Sequence, residues 1–136
     1  MALIGVDAGI LIAVLDAQDA HHAQAVEHLR AARARGDRMI VPVSAYAEAM
    51  VRPSAAGPDA QARLDRLLDD LVADVEPATR SIGRRAAELR ATHGARLRLP
   101  DALVLATALE LGADAVLTTD ARWPDAGVTV VVVAAG

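Results

Sequence analysis

Short apolar runs alternate with longer amphipathic segments along the chain. The runs at residues 3–6, 39–41 and 115–117 are bounded by turn or cap residues and are short, which favours buried strands over helices. Residues 128–133 predict a last strand, and residues 74–76 predict at most a short edge strand. The pattern therefore predicts four or five strands distributed along the whole chain.

Helical periodicity fills the intervals between these runs. Asp19, Ser44 and Thr79 are residue types that cap helix amino termini, so we expect them to begin the second, third and fifth helices. Two prolines and a glycine in residues 53–58 predict a loop. The six predicted helices cover residues 9–15, 20–33, 45–51, 59–72, the segment from Thr79 to His93, and a segment from about Pro100.

This alternation of strands and helices predicts the α/β class. We expect a single domain over residues 1–136, a three-layer α/β/α arrangement with a four- to five-stranded parallel sheet covered on both faces. Right-handed crossovers bring the carboxyl ends of parallel strands to one edge, and ligands of such sheets bind at that edge.

Composition narrows the possible functions. Hydrophobic residues make up 54% of the chain but aromatic residues only 1%, so no aromatic platform is available for stacking bases. Cysteine is absent, which excludes disulfides and thiolate metal sites. The first residues lack the basic start of a signal peptide, and the last apolar run is too short to span a bilayer. We therefore expect a soluble, cytoplasmic protein with no membrane partner.

Charge is distributed unevenly along the chain. The net charge is −4 and all basic residues are arginines, with no lysine. Six arginines lie between residues 80 and 98, against one glutamate, and this basic stretch leads directly into Asp101. Two interpretations remain open for it: a solvated helix face, or a surface that binds phosphate groups.

Four acidic residues lie where the predicted sheet has its carboxyl edge. Asp7 follows the first strand, Glu48 lies in the first turns of the helix after the second strand, Asp101 opens the sixth helix, and Asp120 follows the strand at 115–117. The three aspartates each have an ordinary interpretation as a cap or turn residue. Glu48 is harder to explain in this way, because its neighbours are small and apolar and a carboxylate among them needs a partner.

Carboxylates gathered at one edge repel one another. Two of them about 5 Å apart cost on the order of 3 kcal/mol at an effective dielectric constant of 20. A divalent cation relieves this repulsion, and ligands that are all oxygens suit Mg²⁺ or Mn²⁺. Such a cation polarises a phosphodiester oxygen and activates a water molecule for in-line attack. The four acids therefore indicate a metal-dependent nuclease.

The same residues resemble a known family. The chain is similar to the PIN domain over residues 3–131, and its length and acid spacing are most similar to VapC-type toxins of bacterial toxin–antitoxin pairs. The resemblance lies in an ordered set of four segments: Val6-Asp7-Ala8, Tyr46-Ala47-Glu48, Leu99-Pro100-Asp101-Ala102 and Leu117-Thr118-Thr119-Asp120.

This resemblance implies a PIN-like fold, a Mg²⁺- or Mn²⁺-dependent endoribonuclease that cleaves RNA, an antitoxin partner and a homodimer. It assigns metal binding and catalysis to Asp7, Glu48, Asp101 and Asp120. Thr118 matches a hydroxyl position beside the last acid, where it would orient a ligand or a water molecule. Gly9 departs from the family, which often has Ser, Thr or Asn there, so a supporting hydrogen bond is expected to be missing.

Several interpretations remain beside this one. Arg96, Arg98 and Arg85 are candidates for RNA contact, and the first two immediately precede Asp101. Asp125 is an additional acid that we interpret as a turn residue. The alternative functions are a catalytically weak PIN-like module that binds protein or RNA, and a nuclease directed at DNA.

Overall fold

Five parallel strands form one sheet. The computed structural model describes residues 1–136, and the strands are paired in the order β3-β2-β1-β4-β5. The predicted parallel sheet is therefore confirmed, with the first strand at its centre. The strand bounds are Leu3–Val6 (β1), Arg38–Pro42 (β2), Asp74–Glu76 (β3), Ala115–Thr118 (β4) and Thr129–Val132 (β5).

Six helices connect and cover these strands. From the central strand β1, the chain adds β2 and β3 on one side and then crosses back to add β4 and β5 on the other side. Because the crossovers are right-handed, the first four helices lie on one face of the sheet and the last two on the other. This is the three-layer arrangement that the sequence predicts. The helix bounds are Ala8–Leu15 (α1), His22–Arg35 (α2), Val43–Ala56 (α3), Pro58–Asp70 (α4), Arg80–His93 (α5) and Leu99–Glu110 (α6).

Aliphatic side chains build the core on both faces of the sheet. A cluster of 20 buried residues joins β1, β2 and β4 to the first four helices and part of α6. A smaller cluster, which includes Ile82, Ala86 and Leu105, fills the space between α5 and α6. None of the six helices combines the length and the apolar composition that crossing a membrane requires.

Two predicted helix caps are wrong. Helix α3 begins directly after Pro42, so Ser44 lies inside its first turn and makes no capping bond. Helix α2 begins at His22, and the Asp19 carboxylate accepts instead from the His21 amide in the turn before it. Both residues satisfy the local preference for a polar side chain near a helix start, but in the folded chain each helix begins at a different residue. The cap predicted at Thr79 is confirmed, because its hydroxyl accepts from the Ile82 amide at 3.2 Å.

The predicted loop at residues 53–58 is also wrong. Helix α3 continues through Pro53 to Ala56, and only Gly57 separates it from α4. Proline lacks an amide hydrogen, but its carbonyl still accepts from the Gly57 amide at 2.9 Å and closes the last turn. Pro58 then lies in the first turn of α4, where a missing amide hydrogen costs nothing.

Candidate active site

Asp7 lies at the centre of the carboxyl edge of the sheet. Its amide donates to the Leu117 carbonyl of β4 at 3.0 Å, which extends the pairing of β1 and β4 by one residue. The chain then turns into α1, and the Asp7 carboxylate accepts from the Ala8 amide at 2.8 Å as the cap of that helix. Asp7 is only 8% exposed, so its carboxylate is fixed and largely removed from water.

The hydroxyl of Thr118 connects Asp7 to Asp120. Thr118 is fully buried at the end of β4, and its Oγ1 donates to the second oxygen of Asp7 at 2.8 Å. The same Oγ1 accepts from the Asp120 amide at 3.1 Å. One threonine therefore orients the side chain of one acid and the backbone of another.

The other three acids come from elements that end or begin beside Asp7. Glu48 lies in the second turn of α3, with its side chain exposed to solvent rather than buried among apolar neighbours as the sequence suggested. Asp101 lies in the first turn of α6, which has Pro100 in its first positions. Asp120 follows β4 in the loop that leads to β5.

Burial and negative neighbours raise the pKa of Asp7. Its pKa rises from 3.8 to about 6, chiefly because the charged carboxylate is removed from water. The hydrogen bonds from Thr118 and Ala8 oppose this rise, whereas the charges of Asp101 and Glu48 add to it. Asp7 therefore ionises at a higher pH than an ordinary aspartate, and its ionisation costs the metal-free protein stability.

Asp101 is the member of the cluster that is coupled to all the others. Burial raises its pKa first, the charges of Asp120 and Glu48 raise it further, and the positive charge of Arg98 lowers it. Asp101 in turn raises the pKa of Asp7. Asp120 behaves differently, because hydrogen bonds from Arg122 hold its pKa below the ordinary value. The structure therefore brings Asp7, Glu48, Asp101 and Asp120 to one edge, where the other three are each within electrostatic reach of Asp101.

The candidate RNA-contacting arginines separate into two groups. Arg96 and Arg98 line a pocket of about 230 Å³ beside Asp101 and Asp120. Arg85 lies elsewhere, because its Nε donates to Glu110 at 2.8 Å and Glu110 is at the opposite end of α6 from Asp101. The basic stretch in the sequence thus contributes two of its arginines to the acidic edge, and Arg85 is not one of them.

Comparison with known families decides the classification. The family model for the PIN domain matches residues 4–128, nearly the whole chain. The chain belongs to the PIN domain family. Among curated proteins, none matches this sequence closely enough to be considered a relative.

Solved structures share the fold of this PIN domain. A chain of the Mycobacterium tuberculosis toxin VapC20, described as a sarcin–ricin loop cleaving toxin, is 23% identical with a TM-score of 0.74, covering 93% of this chain and 96% of that one. A toxin–antitoxin complex from Klebsiella pneumoniae gives 24% identity and a TM-score of 0.70 over 96% of both chains. A chain of Rickettsia felis VapBC2, whose structure is bound to a promoter DNA fragment, is 14% identical with a TM-score of 0.76. The match covers 95% of this chain and 97% of that one.

The four acids of this PIN domain have the right chemistry for a hard divalent cation but are not assembled around one. All donors are carboxylate oxygens, and the pKa values of Asp7 and Asp101 are raised first by burial and then by the negative charge of neighbouring acids, which a cation would offset. No group of three or more acidic, histidine or cysteine side chains is arranged around a common point that an ion could take. Asp7 is fixed by two hydrogen bonds, so the other acids would have to adjust to share an ion with it.

Two residues at this edge have no role assigned by the sequence analysis. Arg122 makes a bidentate ion pair with Asp120. In the sequence, only the short separation of these two residues indicates such a pair. The indole N–H of Trp123 is buried without a hydrogen-bond partner, yet it lies near enough to Asp101 to favour the ionised carboxylate. Arg122 does not stand out by type or by pattern along the chain, whereas Trp123 is the only tryptophan.

The space beside Gly9, where the family often has a polar side chain, is filled by another residue. A Cβ atom at this position would lie 2.5 Å from the hydroxyl oxygen of Thr119, so the Thr119 side chain occupies the space that a side chain at position 9 would need. A threonine hydroxyl therefore lies beside the first turn of α1 even though residue 9 has none. Asp125 forms the predicted turn, since its carboxylate accepts from the Gly127 amide at 3.1 Å.

Proposed function

We propose that this PIN domain is a Mg²⁺- or Mn²⁺-dependent endoribonuclease that acts as the toxin of a toxin–antitoxin pair. The observation that carries the proposal is the convergence of four carboxylates at one sheet edge, with Asp101 electrostatically coupled to the other three. Membership of the PIN domain family and the fold shared with VapC toxins support it. A repelling acidic cluster is costly to a protein that only binds a partner, and a cation removes that cost.

Each residue of the cluster has a role in this proposal. Asp7 and Asp101 would hold the cation from the rigid part of the edge, and Glu48 and Asp120 would complete its ligands. The cation, when bound, supplies Lewis acidity toward the scissile phosphodiester and lowers the pKa of a bound water. Thr118 keeps the Asp7 carboxylate in one orientation through its 2.8 Å hydrogen bond. Arg96 and Arg98 would contact RNA phosphates at the rim.

RNA is the proposed polymer. The structurally similar Mycobacterium tuberculosis protein is described as cleaving the sarcin–ricin loop, which supports RNA over DNA for this chain. The arginines at the rim contact phosphate and do not distinguish the two polymers. Both polymers therefore belong in the same assay.

A groove that is lined by none of the four acids offers a place for a protein partner. Its volume is about 290 Å³, it lies between α1, α3 and α4, and Ile12, Leu15 and Pro53 contribute apolar surface to it. Structures of toxin–antitoxin complexes share this fold, which supports an antitoxin as the occupant. The acidic edge also attracts an arginine or lysine side chain of such a partner. We further propose that the domain forms a homodimer, which light scattering of the purified chain measures.

Cleavage assays test the enzymatic proposal. Labelled RNA and DNA of the same sequence are incubated with the wild-type protein in Mg²⁺, in Mn²⁺ and in EDTA. We expect RNA cleavage with either metal, none in EDTA, and a loss of about 100-fold or more for Asp101→Asn. Asp69→Asn is the control, because Asp69 is exposed on α4 and lies outside the cluster.

The contrary results identify the alternatives. Cleavage by Asp101→Asn at the wild-type rate would show that the site is wrongly assigned. Binding of RNA without cleavage under any metal condition would favour a PIN-like binding module, and cleavage of DNA alone would make the protein a DNA nuclease.

The partner groove is tested separately. Ala56 is exposed and lines the groove, whereas its neighbour Ala55 is exposed outside it. After co-expression with a cognate antitoxin, Ala56→Glu is expected to release the partner and leave cleavage unchanged. Ala55→Glu serves as the control, and equal retention of the partner by both variants would contradict the assignment of the groove.

A further inference from the structure

Arg122 is the charged residue at the acidic edge that the proposed function does not use. It lines the pocket of about 230 Å³ together with two of the four acids and two other arginines. Three guanidinium groups and two carboxylates thus share one small space. The lining residues are Ala95, Arg96, Arg98, Asp101, Asp120 and Arg122.

Both oxygens of Asp120 are engaged by this arginine. Arg122 Nε donates to Asp120 Oδ1 at 3.0 Å, and the terminal Nη2 donates to Oδ2 at 3.1 Å. The Arg122 backbone amide also donates to Oδ1 at 2.9 Å. The guanidinium therefore lies where a cation shared with Asp101 would approach the carboxylate.

The ion pair between Arg122 and Asp120 can open at little cost. The Arg122 side chain is 84% exposed and the Asp120 side chain 24%, so the guanidinium can return to water without leaving a buried charge. An exposed ion pair of this kind contributes little to stability. A divalent cation and a guanidinium repel each other, so both cannot occupy the same side of Asp120.

We propose that Arg122 occupies Asp120 in place of the divalent cation and, once displaced by it, binds a phosphate of the RNA substrate beside Arg96 and Arg98. This inference rests on the proposed function, since it assumes a cation at the four acids. It assigns Arg122 two exclusive partners, the Asp120 carboxylate and the RNA backbone. Guanidinium groups suit both, because their planar fork pairs with carboxylate and phosphate oxygens alike.

The backbone around Asp120 makes the side chain of Arg122 separable from the rest of the site. The Asp120 amide remains bound to Thr118, and the Arg122 amide remains bound to Asp120, whatever side chain residue 122 carries. Truncation at position 122 therefore removes the guanidinium and leaves the carboxylate held in its turn.

Metal binding tests the first half of the proposal. Mn²⁺ alone is titrated into the protein at constant pH and ionic strength, and binding is followed by calorimetry and by the fluorescence of Trp123, the only tryptophan, which lies beside Asp101. We expect Arg122→Ala to bind Mn²⁺ about twofold to fivefold more tightly than wild type, because the competing guanidinium is gone. Arg38→Ala is the matched control, since it removes one arginine of an exposed ion pair at the opposite edge of the sheet.

RNA binding tests the second half. With all four acids intact, the affinity for a fluorescein-labelled RNA oligonucleotide in Mn²⁺ is measured by stopped-flow anisotropy, before cleavage proceeds. We expect Arg122→Ala to weaken RNA binding and to reduce the dependence of the affinity on salt by about one phosphate contact. Arg38→Ala is expected to change neither quantity.

Each contrary result has a distinct meaning. Equal Mn²⁺ affinity in Arg122→Ala and wild type overturns the inference and leaves the proposed function intact. If Arg38→Ala gains as much Mn²⁺ affinity as Arg122→Ala, the gain is a general effect of net charge and the inference is also overturned. Unchanged RNA binding overturns the phosphate role. Absence of Mn²⁺ binding to wild type overturns both the inference and the proposed function.

Discussion

Asp7 combines a structural role with a chemical one. Its carboxylate caps α1 and accepts the Thr118 hydroxyl, so the fold itself fixes its orientation. The same burial that fixes it makes its ionised form unfavourable and raises its pKa to about 6. The cation that we propose for this site would restore the stability that ionisation removes.

The stability of the metal-free protein is expected to depend on pH through Asp7. The folded-state pKa of about 6 exceeds the ordinary value of 3.8, so the contribution of Asp7 is fully present below the lower value and is lost as pH rises through the higher one. In EDTA, the free energy of unfolding of wild type relative to Asp7→Asn should fall by about 2 kcal/mol between about pH 4 and pH 7. Urea unfolding measures this difference, and a flat difference across that range would show that Asp7 titrates normally.

Gly9 is a small residue required by a close contact. Its backbone is helical and would accept alanine, but the new Cβ would lie 2.5 Å from the Thr119 hydroxyl oxygen. We expect Gly9→Ala to lower the free energy of unfolding by about 1–2 kcal/mol despite the better helix propensity of alanine. The double variant Gly9→Ala/Thr119→Ala removes the clash and should be more stable than Gly9→Ala in thermal unfolding. An additive effect of the two substitutions would count against this contact.

At the scale of elements, helix α6 does most to place the site. It carries Asp101 in its first turn and is buried over most of its length, with Val104, Leu105 and Ala108 in contact with the core. Its position is thus set by hydrophobic burial along the helix. The Asp101 carboxylate is held at the end of the helix by that burial rather than by contacts of its own.

Capping of α5 is a local feature that the sequence predicts correctly. The Thr79 hydroxyl accepts from the Ile82 amide, and Thr79 is itself exposed. We expect Thr79→Ala to lower the free energy of unfolding by about 1 kcal/mol, because one amide at the helix start loses its partner. Thr92→Ala, an exposed threonine later in the same helix, is the control and should leave stability nearly unchanged. Equal effects of both variants in urea unfolding would contradict the cap.

In the molecule as a whole, the stability of the core offsets the repulsion between the acids. Four carboxylates repel one another at the carboxyl edge of the sheet, and the aliphatic core on both faces supplies the stability that holds them there. The cation proposed for this edge would then act as a stabilising ligand of the entire fold, since it binds the native state and not the unfolded chain.

Thermal unfolding in Mn²⁺ tests this coupling. We expect the wild-type protein to gain about 2.7 kcal/mol when the free ion is about 100 times its Kd. For a domain of this size such a gain raises Tm by roughly 10 °C. Asp101→Asn should gain far less, and Asp69→Asn should gain as much as wild type. A shift of equal size in all three proteins would indicate binding elsewhere on the surface.

The sequence by itself determined the α/β class, the parallel sheet and the edge at which the acids meet. Those features follow from local periodicity and from the handedness of crossovers, which act on every chain in the same way. The predicted caps at Asp19 and Ser44 and the predicted loop at residues 53–58 failed, because tertiary context decided where those helices begin and end. The roles of the acids remain a prediction that experiment has to test.

Tertiary structure alone decided which side chains face each acid. The pairing of Arg122 with Asp120, the hydroxyl of Thr119 beside Gly9 and the solvent exposure of Glu48 depend on distances that no pattern along the chain encodes. The physical reason is that pKa shifts and ion pairs arise from contacts a few ångströms long between separate elements. Periodicity predicts which edge a residue reaches, and only the folded chain fixes what it meets there.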